Sequence, residues 1–345
     1  MTDSPRGQAS CFLDGLLPRG SILELGHVGY LSHVLPDLVR WIAIGSSDPL
    51  PSAALVLAGP AAPRQLPRFL HLISQPHLQL VVCRIHHHPG RVWQLAVRLL
   101  LRFCRVPIIV LDFEDEDIVH PAHRPLLAAS HRLFKRELPL DRWRLARPFP
   151  IASVQEDRLR RDAQALDLVR KLRPLPLGLP LGLPPPPPSV PRSHDLYFAG
   201  TGVDVPGHRQ AGFAELAGLA SEGLRLDLPS GRLSRLDHLG HCSAAWLTWS
   251  PPGYGWQCFR HAEAALCGSV PLLSYPTVET HAGFVDGRQA LFYDPRPGGL
   301  TLAVRRALAD TARLRILGEA AREHVLTHHT PEAIAAYILG DALGD

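Results

Sequence analysis

Residues 250–294 read SPPGYGWQCFRHAEAALCGSVPLLSYPTVETHAGFVDGRQALFYD. A loop rich in proline and glycine opens the stretch, and the apolar spacing that follows predicts a helix over 257–267. Gly268 suits the position just past a helix end, and the apolar run over 269–275 predicts a buried strand. Free N–H groups and the helix dipole at the start of such a helix favour an anion. The stretch therefore predicts a helix whose N-terminus faces a negatively charged ligand.

The same alternation of apolar runs and helical periodicity extends to both sides of this stretch. The predicted strands cover 21–25, 53–58, 78–85, 106–113, 131–138, 195–200, 224–228, 244–249, 269–275 and 289–294. The predicted helices cover 30–41, 64–73, 91–104, 205–221, 232–242, 257–267 and the tail from 298. Strands that are apolar on both faces and separated by helices are typical of parallel sheets covered on both sides. The sequence thus predicts an α/β protein with two doubly wound, Rossmann-like domains and a ligand cleft between them.

A proline-rich segment interrupts this alternation near the middle of the chain. Residues 173–192 read RPLPLGLPLGLPPPPPSVPR, and the five consecutive prolines 184–188 fit neither a helix nor a central strand. They favour an extended polyproline II spacer, and an SH3-type ligand is the alternative. The predicted organisation is an N-terminal domain over 1–183, a linker over 184–192, a C-terminal domain over 193–330 and a final helix over 331–345.

The composition excludes several classes of protein. The chain has 345 residues, of which 46% are hydrophobic, and a net charge of +4, so neither wholesale disorder nor a dedicated nucleic-acid binder is indicated. It contains 34 arginines, two lysines and no asparagine, a bias that GC-rich codon usage explains. Arginine enrichment alone is therefore poor evidence for phosphate binding, and any single arginine needs a positional argument.

Cysteine usage and hydropathy indicate a cytoplasmic protein. The six cysteines are scattered without a CxxC pair, which is typical of buried thiols in a reducing compartment. The first ten residues do not resemble a signal peptide. The apolar stretch 95–111 is interrupted by arginines and a proline, so it predicts a helix and a strand rather than a membrane span. A peripheral membrane contact through its arginine face is left open.

Three side chains share one face of the helix predicted over 257–267, because Arg260, Glu263 and Cys267 are spaced three and four residues apart. With the following Gly268 and Pro271 they complete the pattern R-x-x-E-A-x-x-C-G-x-x-P. This pattern resembles the donor-binding half of GT-B glycosyltransferases, in particular their group-1, spore-protein-like and exostosin-like branches. The resemblance extends over about residues 195–330. It implies a nucleotide-sugar in the C-terminal domain and an acceptor in the N-terminal one.

The resemblance assigns roles to several residues of this helix. Glu263 matches the glutamate that binds the donor ribose, and a carboxylate suits a vicinal diol because it accepts two hydrogen bonds. The alternative is a helix-surface glutamate paired with Arg260. Arg260 itself would either neutralise the diphosphate or brace Glu263. Gly255 stands where many group-1 members carry a second glutamate, and this departure favours the exostosin-like branch.

Two further segments are candidates for donor contacts. The turn GTGVDVPGHR, residues 200–209, follows a predicted strand and opens a helix, so glycines such as Gly202 and the charge of Arg209 would suit a phosphate. Tyr275 ends the strand predicted over 269–275 and Glu279 follows it, so both would lie beside the base or the sugar. Glu279 is alternatively a solvated loop residue.

The N-terminal half must supply any catalytic base. Acidic residues crowd positions 112–117, where Asp115 is a candidate base; the run also resembles the DxD metal motif of GT-A enzymes, or forms a solvated turn. His27 and His33 follow the first strand, the place where inverting GT-B enzymes often carry a base. His86–His88 follow the third strand, and one of them would face the cleft rather than all three binding a metal.

Together these patterns predict a metal-independent glycosyltransferase that moves a sugar from a nucleotide diphosphate to an unidentified glycan, lipid, peptide or small-molecule acceptor. It would need no cofactor and no nucleic-acid partner. If the enzyme inverts the anomeric carbon, His27 or Asp115 is the expected base; if it retains, none is required. The alternatives are a non-catalytic nucleotide- or sugar-binding protein on the same fold and a Mn²⁺-dependent GT-A-like transferase.

Overall fold

A computed structural model describes residues 17–45, 53–86, 89–146, 163–187, 190–200 and 208–344 of the chain. The chain divides into two compact units. The first comprises Met1–Leu175 with Ala335–Asp345, and the second comprises Pro176–Ile334. Within the described residues, no helix combines the length and the apolar character that crossing a bilayer requires.

The first unit is built on a seven-stranded parallel sheet with the order β3-β2-β1-β4-β5-β6-β7. Its strands are β1 Ile22–Gly26, β2 Val39–Ile44, β3 Ala53–Leu57, β4 Leu80–Arg84, β5 Ile108–Asp112, β6 Arg132–Lys135 and β7 Leu172–Pro174. Its helices include α1 Leu31–Val34, α2 Ala62–Ile73, α3 Arg91–Phe103, α4 Arg124–Ala129 and α5 Ala163–Lys171. The central strands are buried along their whole length, as their unbroken apolar runs predict.

One predicted helix of this unit is wrong in most of its length. Instead of a helix over 30–41, the chain forms only the single turn of α1 and then β2, which pairs with both β1 and β3. The buried Glu24 of β1 accepts hydrogen bonds from the backbone N–H groups of Tyr30, Leu31 and Ser32, at 2.7, 3.2 and 2.8 Å. This carboxylate caps the turn, and Pro36 prevents its continuation.

The second unit is built on a five-stranded parallel sheet with the order β12-β11-β10-β8-β9. Its strands are β8 His194–Tyr197, β9 Leu226–Asp227, β10 Ala245–Trp249, β11 Val270–Ser274 and β12 Leu291–Tyr293. Its helices include α6 His208–Ser221, α7 Arg235–Ala244, α8 Phe259–Leu266, α9 Gly299–Leu308 and α10 Thr311–His328, and α11 Pro331–Leu343 follows. Phe198 and Trp249 pack in its core with their ring centroids 4.8 Å apart and their planes tilted by 49°. Both units are thus Rossmann-like, as predicted.

The division between the units lies before the proline run. The backbone N–H of Leu177 donates to the Gln257 side chain at 2.8 Å, and that of Leu179 donates to the His329 carbonyl at 2.8 Å. These bonds hold the segment ahead of the prolines to the second unit. The contact boundary therefore falls at Leu175 and Pro176 rather than at the predicted residue 183.

The end of α11 packs within the first unit. Asp341 accepts hydrogen bonds from Arg132 and Arg173 at 2.9 and 2.8 Å, and the hydroxyl of Tyr337 donates to the carbonyl of Pro174 at 3.1 Å. The last helix therefore contributes to the first unit from Ala335 onward.

Candidate functional site

Glu263 is a buried carboxylate held by two cationic or polar side chains of α7. The guanidinium of Arg235 donates to Oε1, and Nε2 of His238 lies 3.1 Å from Oε2. Burial alone would raise the pKa of Glu263, but the hydrogen bonds and charges of His238 and Arg235 outweigh burial and lower it. Glu263 is therefore negatively charged at neutral pH, although only 3% of it is exposed to solvent.

Tyr197 contacts the other ring nitrogen of His238. Its hydroxyl lies 2.7 Å from Nδ1 of that histidine, and burial raises the pKa of the phenol. Because the ionised Glu263 can only accept, Nε2 of His238 donates to it, and in a neutral ring Nδ1 then accepts from the Tyr197 hydroxyl. Neither Arg235 nor His238 belongs to a motif that the sequence made visible, and both were missed.

Arg260 does not brace Glu263. Its Nη1 donates to the carbonyl of Ala199 at 2.7 Å, its Nε donates to the hydroxyl of Ser250 at 3.3 Å, and its guanidinium lies 4.9 Å from the ring centroid of Phe198. Its Nη2 is buried and has no hydrogen-bond partner within the described part of the chain. A Cβ atom at Gly200 would lie only 3.0 Å from Nη1, so the strand end passes close to the guanidinium. Among the described residues, the buried Nη2 group of Arg260 is therefore not used by the protein itself.

Arg209 lies at the start of α6 and is buried beside the same strand ends. Its Nε donates to the carbonyl of Pro252 at 3.1 Å, which ties α6 to the loop that precedes α8. Burial lowers the pKa of Arg209, and the positive charge of Arg260 lowers it further. Two guanidinium groups thus share one region, a combination that an anion stabilises. Gly202, the other predicted contact of this turn, lies outside the described residues.

The remaining predicted donor contacts lie at the carboxyl ends of β10 and β11. Gly255 closes a tight turn before α8, where its carbonyl accepts the N–H of Gly253 at 2.9 Å. Tyr275 is 56% exposed and meets the Phe292 ring edge-on at 5.6 Å. Glu279 is half-buried in the loop after β11. Their contacts with a donor stay predictions.

In the first unit, two candidate groups follow the carboxyl ends of parallel strands. His27 is exposed directly after β1, and its ring lies 5.8 Å from that of His86, which follows β4. His87 and His88 lie outside the described residues. Asp115 follows β5 and forms an ion pair with Arg136. Both predicted bases, His27 and Asp115, therefore lie at the same edge of the sheet, and Asp115 is already paired with Arg136.

Several acidic side chains of the run 112–117 pair with basic side chains of the first unit. Asp112 is buried and accepts a hydrogen bond from Lys135 at 2.9 Å, and Asp117 pairs with Arg144 at 2.6 Å. Among the residues that the structure describes, no three His, Cys, Asp or Glu side chains form a group that could hold a metal ion. The run therefore shows no assembled metal site of the DxD kind.

Comparison with known proteins matches the part of the chain that carries the candidate donor site. Residues 247–340 match the family described as glycosyl transferase-like, a segment that includes Arg260 and Glu263. No curated protein sequence matches the chain. A sucrose-phosphate synthase from Thermosynechococcus elongatus is similar in structure, with a TM-score of 0.57 and 16% identity over 92% of this chain and 97% of that one.

Two further solved structures are similar to the chain at the same level. The α,α-trehalose-phosphate synthase (UDP-forming) of Burkholderia vietnamiensis has a TM-score of 0.54 and 11% identity over 94% of this chain and 99% of that one. HepE from Anabaena, in complex with UDP, has a TM-score of 0.54 and 11% identity over 93% and 98%. These findings support a glycosyltransferase with the GT-B fold, as the sequence predicted, and they do not favour the GT-A-like alternative.

Proposed function

We propose that this GT-B glycosyltransferase takes its sugar from a nucleoside diphosphate donor held in the second unit, and passes it to the hydroxyl of an acceptor. The observation that carries the proposal is the buried, ionised Glu263 close in sequence to the cationic Arg260. A carboxylate that is kept charged in a buried site needs partners, and the vicinal hydroxyls of a ribose supply two hydrogen-bond donors. Arg235 and His238 each use one lone pair of an oxygen that can accept two hydrogen bonds.

The diphosphate would be bound by Arg260 and Arg209. Nη2 of Arg260, which has no hydrogen-bond partner among the described residues, and the guanidinium of Arg209 would provide positive charge where the leaving group becomes more negative as the glycosidic bond breaks. Groups that are held in place before the reaction stabilise this charge without reorganising. Similar solved structures contain UDP or UDP-glucose, so a uridine diphosphate sugar is the first donor to test.

The acceptor would meet the first unit. If the reaction inverts the anomeric carbon, His27 is the stronger of the two candidate bases, because it is exposed whereas Asp115 is paired with Arg136. We propose that the transfer uses neither a metal nor another cofactor; activity that persists in EDTA would support this and activity that is abolished would contradict it. The chemical class of the acceptor stays open among glycans, lipids, peptides and small molecules.

We also propose that the enzyme works in the cytoplasm. The five described cysteines, Cys83, Cys104, Cys242, Cys258 and Cys267, are free thiols, which suits a reducing compartment.

A non-catalytic donor-binding protein is the second candidate. It is favoured by one observation, Gly255 at the position where a second glutamate would bind the sugar. Such a protein would bind nucleotide-sugars without releasing the nucleoside diphosphate.

A thermal-shift screen across nucleotide-sugars, followed by an assay of nucleoside diphosphate release, tests the proposal. A ligand that binds only the native state raises the apparent stability, so a donor should raise the melting temperature. Stabilisation together with release of the diphosphate, by slow hydrolysis or with candidate acceptors, would support the transferase. Binding without release under any condition would favour the binding protein, and no stabilisation by any nucleotide-sugar would contradict both.

A further inference from the structure

One long segment of the first unit contains no acidic residue. Residues 49–111 lack both aspartate and glutamate, although the whole chain carries 32 of these residues in 345. At that frequency a segment of this length would carry several acidic residues. The same segment contains seven arginines, at positions 64, 68, 84, 91, 98, 102 and 105. Codon usage explains why these are arginines rather than lysines, but it does not explain the missing carboxylates.

Helix α3 places four exposed side chains in one stripe. Its residues Trp93, Ala96, Val97 and Leu100 are buried against the sheet. Arg91, Leu95, Arg98 and Arg102 follow each other at spacings of four, three and four, and all four are exposed. Arg98 and Arg102 repel each other at a spacing of four, which weakens the helix, and no carboxylate of the helix offsets the repulsion. The stripe therefore has a cost for folding that a binding role would explain.

Helix α2 extends the positive charge beside α3. The two helices pack against each other, and Phe69 and Leu72 of α2 join the same core as Leu100 of α3. Arg64 and Arg68 of α2 are exposed. The two helices thus cover one face of the sheet and carry positive charge on their outer sides.

Large apolar side chains lie among these charges. Leu95 is 40% exposed within the arginine stripe, and Phe103 is 45% exposed at the end of α3. A surface that binds only a soluble polyanion gains nothing from exposed leucine and phenylalanine. A lipid interface takes up both kinds of group, because headgroup phosphates accept from arginine while apolar side chains enter the acyl boundary.

We propose that the outer face of α2 and α3 docks the enzyme peripherally on a bilayer that contains anionic phospholipids. Each arginine near such a surface strengthens binding about fivefold, so the exposed arginines of this face act together. The contact is independent of the glycosyl transfer proposed above, because none of its residues belongs to the candidate donor site.

Co-sedimentation of the full chain with vesicles tests the docking face. The wild type should bind vesicles of phosphatidylcholine with phosphatidylglycerol and should not bind vesicles of phosphatidylcholine alone. The double variant Arg98→Glu, Arg102→Glu should bind at least about 25-fold more weakly, since two favourable charges are lost and two repulsive ones are added. The double variant Leu95→Gln, Phe103→Gln should also bind more weakly at unchanged net charge.

A matched control reverses two exposed arginines of the second unit, Arg315 and Arg322 of α10, to glutamate. It should bind anionic vesicles like the wild type, and unchanged melting temperatures should show that each variant folds. Equal binding to both kinds of vesicle, or wild-type binding by either α3 variant, would overturn the proposal. If the Leu95→Gln, Phe103→Gln variant keeps full affinity and the wild type also binds heparin tightly, the proposal is overturned in favour of a soluble polyanion as the ligand.

Discussion

Glu263 keeps its charge in a buried position because three side chains from other elements support it. The sequence motif made Glu263 and Arg260 visible, since both lie within one helix and one pattern. Arg235 and His238 come from a helix 28 and 25 residues earlier, and Tyr197 comes from a strand beyond it. Such partners meet only through the packing of α7 against α8 and β8, and no spacing in the sequence announces them.

Removal of the Arg260 side chain should weaken the binding of the diphosphate and leave that of the nucleoside nearly unchanged. A hydrogen bond to a charged group contributes about 1.5–3 kcal/mol, so Arg260→Ala should lower the affinity for UDP by about 10- to 100-fold. Calorimetry with UDP and with uridine measures both effects, and Arg315→Ala is the control. An equal loss for both ligands would indicate that Arg260 is only structural, and unchanged UDP affinity would remove it from the diphosphate site.

At the scale of elements, patterns of apolar residues predicted most of the buried strands, but they missed β2 and β7. The run over 106–113 is apolar on both faces and forms β5. Residues 30–41 carry a helix-like spacing, but Pro36 stops the helix after the single turn of α1, and the chain then enters β2. Pro36 is visible in the sequence, whereas periodicity cannot reveal that the buried Glu24 of the preceding strand caps this turn.

Two glycines in helices should respond oppositely to alanine. A Cβ atom at Gly318 of α10 would overlap the carbonyl oxygen of Gly268, whereas a Cβ atom at Gly240 of α7 meets open space. Gly318→Ala should therefore destabilise the protein by about 1–3 kcal/mol, and Gly240→Ala should stabilise it by up to about 1 kcal/mol. Denaturant midpoints measure both changes. Equal effects of the two substitutions would contradict the close approach of α10 to the end of α8.

At the scale of the whole molecule, alternation predicted two Rossmann-like domains, and composition misplaced the division between them. The prolines at 184–188 mark a stiff segment, but they do not show which residues pack before it. Leu177 and Leu179 bind to the second unit through backbone hydrogen bonds, and α11 contributes to the first unit from Ala335. Contacts of this kind depend on residues more than 70 positions apart, so the boundary could not be found locally.

The stability of the protein should fall as the pH drops from 6.5 toward 4, because of His329. Burial lowers the pKa of this histidine to about 4, despite its hydrogen bond to the carbonyl of Ala282, and neighbouring His324, His328 and His281 add to the effect. The unfolded chain binds a proton at this histidine near pH 6.5, whereas the folded chain binds it only near pH 4. The contribution of the neutral His329 to the free energy of unfolding is therefore fully present above pH 6.5 and is lost progressively between pH 6.5 and about 4. The loss is about 3 kcal/mol.

Denaturant unfolding between pH 7 and pH 4 measures this loss. His329→Gln, which can still donate to Ala282, should unfold with a flatter pH dependence than the wild type. The exposed His71→Gln is the control and should keep the wild-type slope. An unchanged slope for His329→Gln would contradict the assignment.

The most direct test of the donor site compares UDP with its 2′,3′-dideoxy analogue by calorimetry, in the wild type and in Glu263→Ala. If Glu263 binds the ribose, the wild type should bind UDP at least about tenfold more tightly than the analogue, and the variant should bind both equally weakly. Glu319→Ala, at an exposed position of α10, should behave like the wild type. A Glu263→Ala variant that still binds UDP at full affinity, or still distinguishes the two nucleotides, would contradict the account.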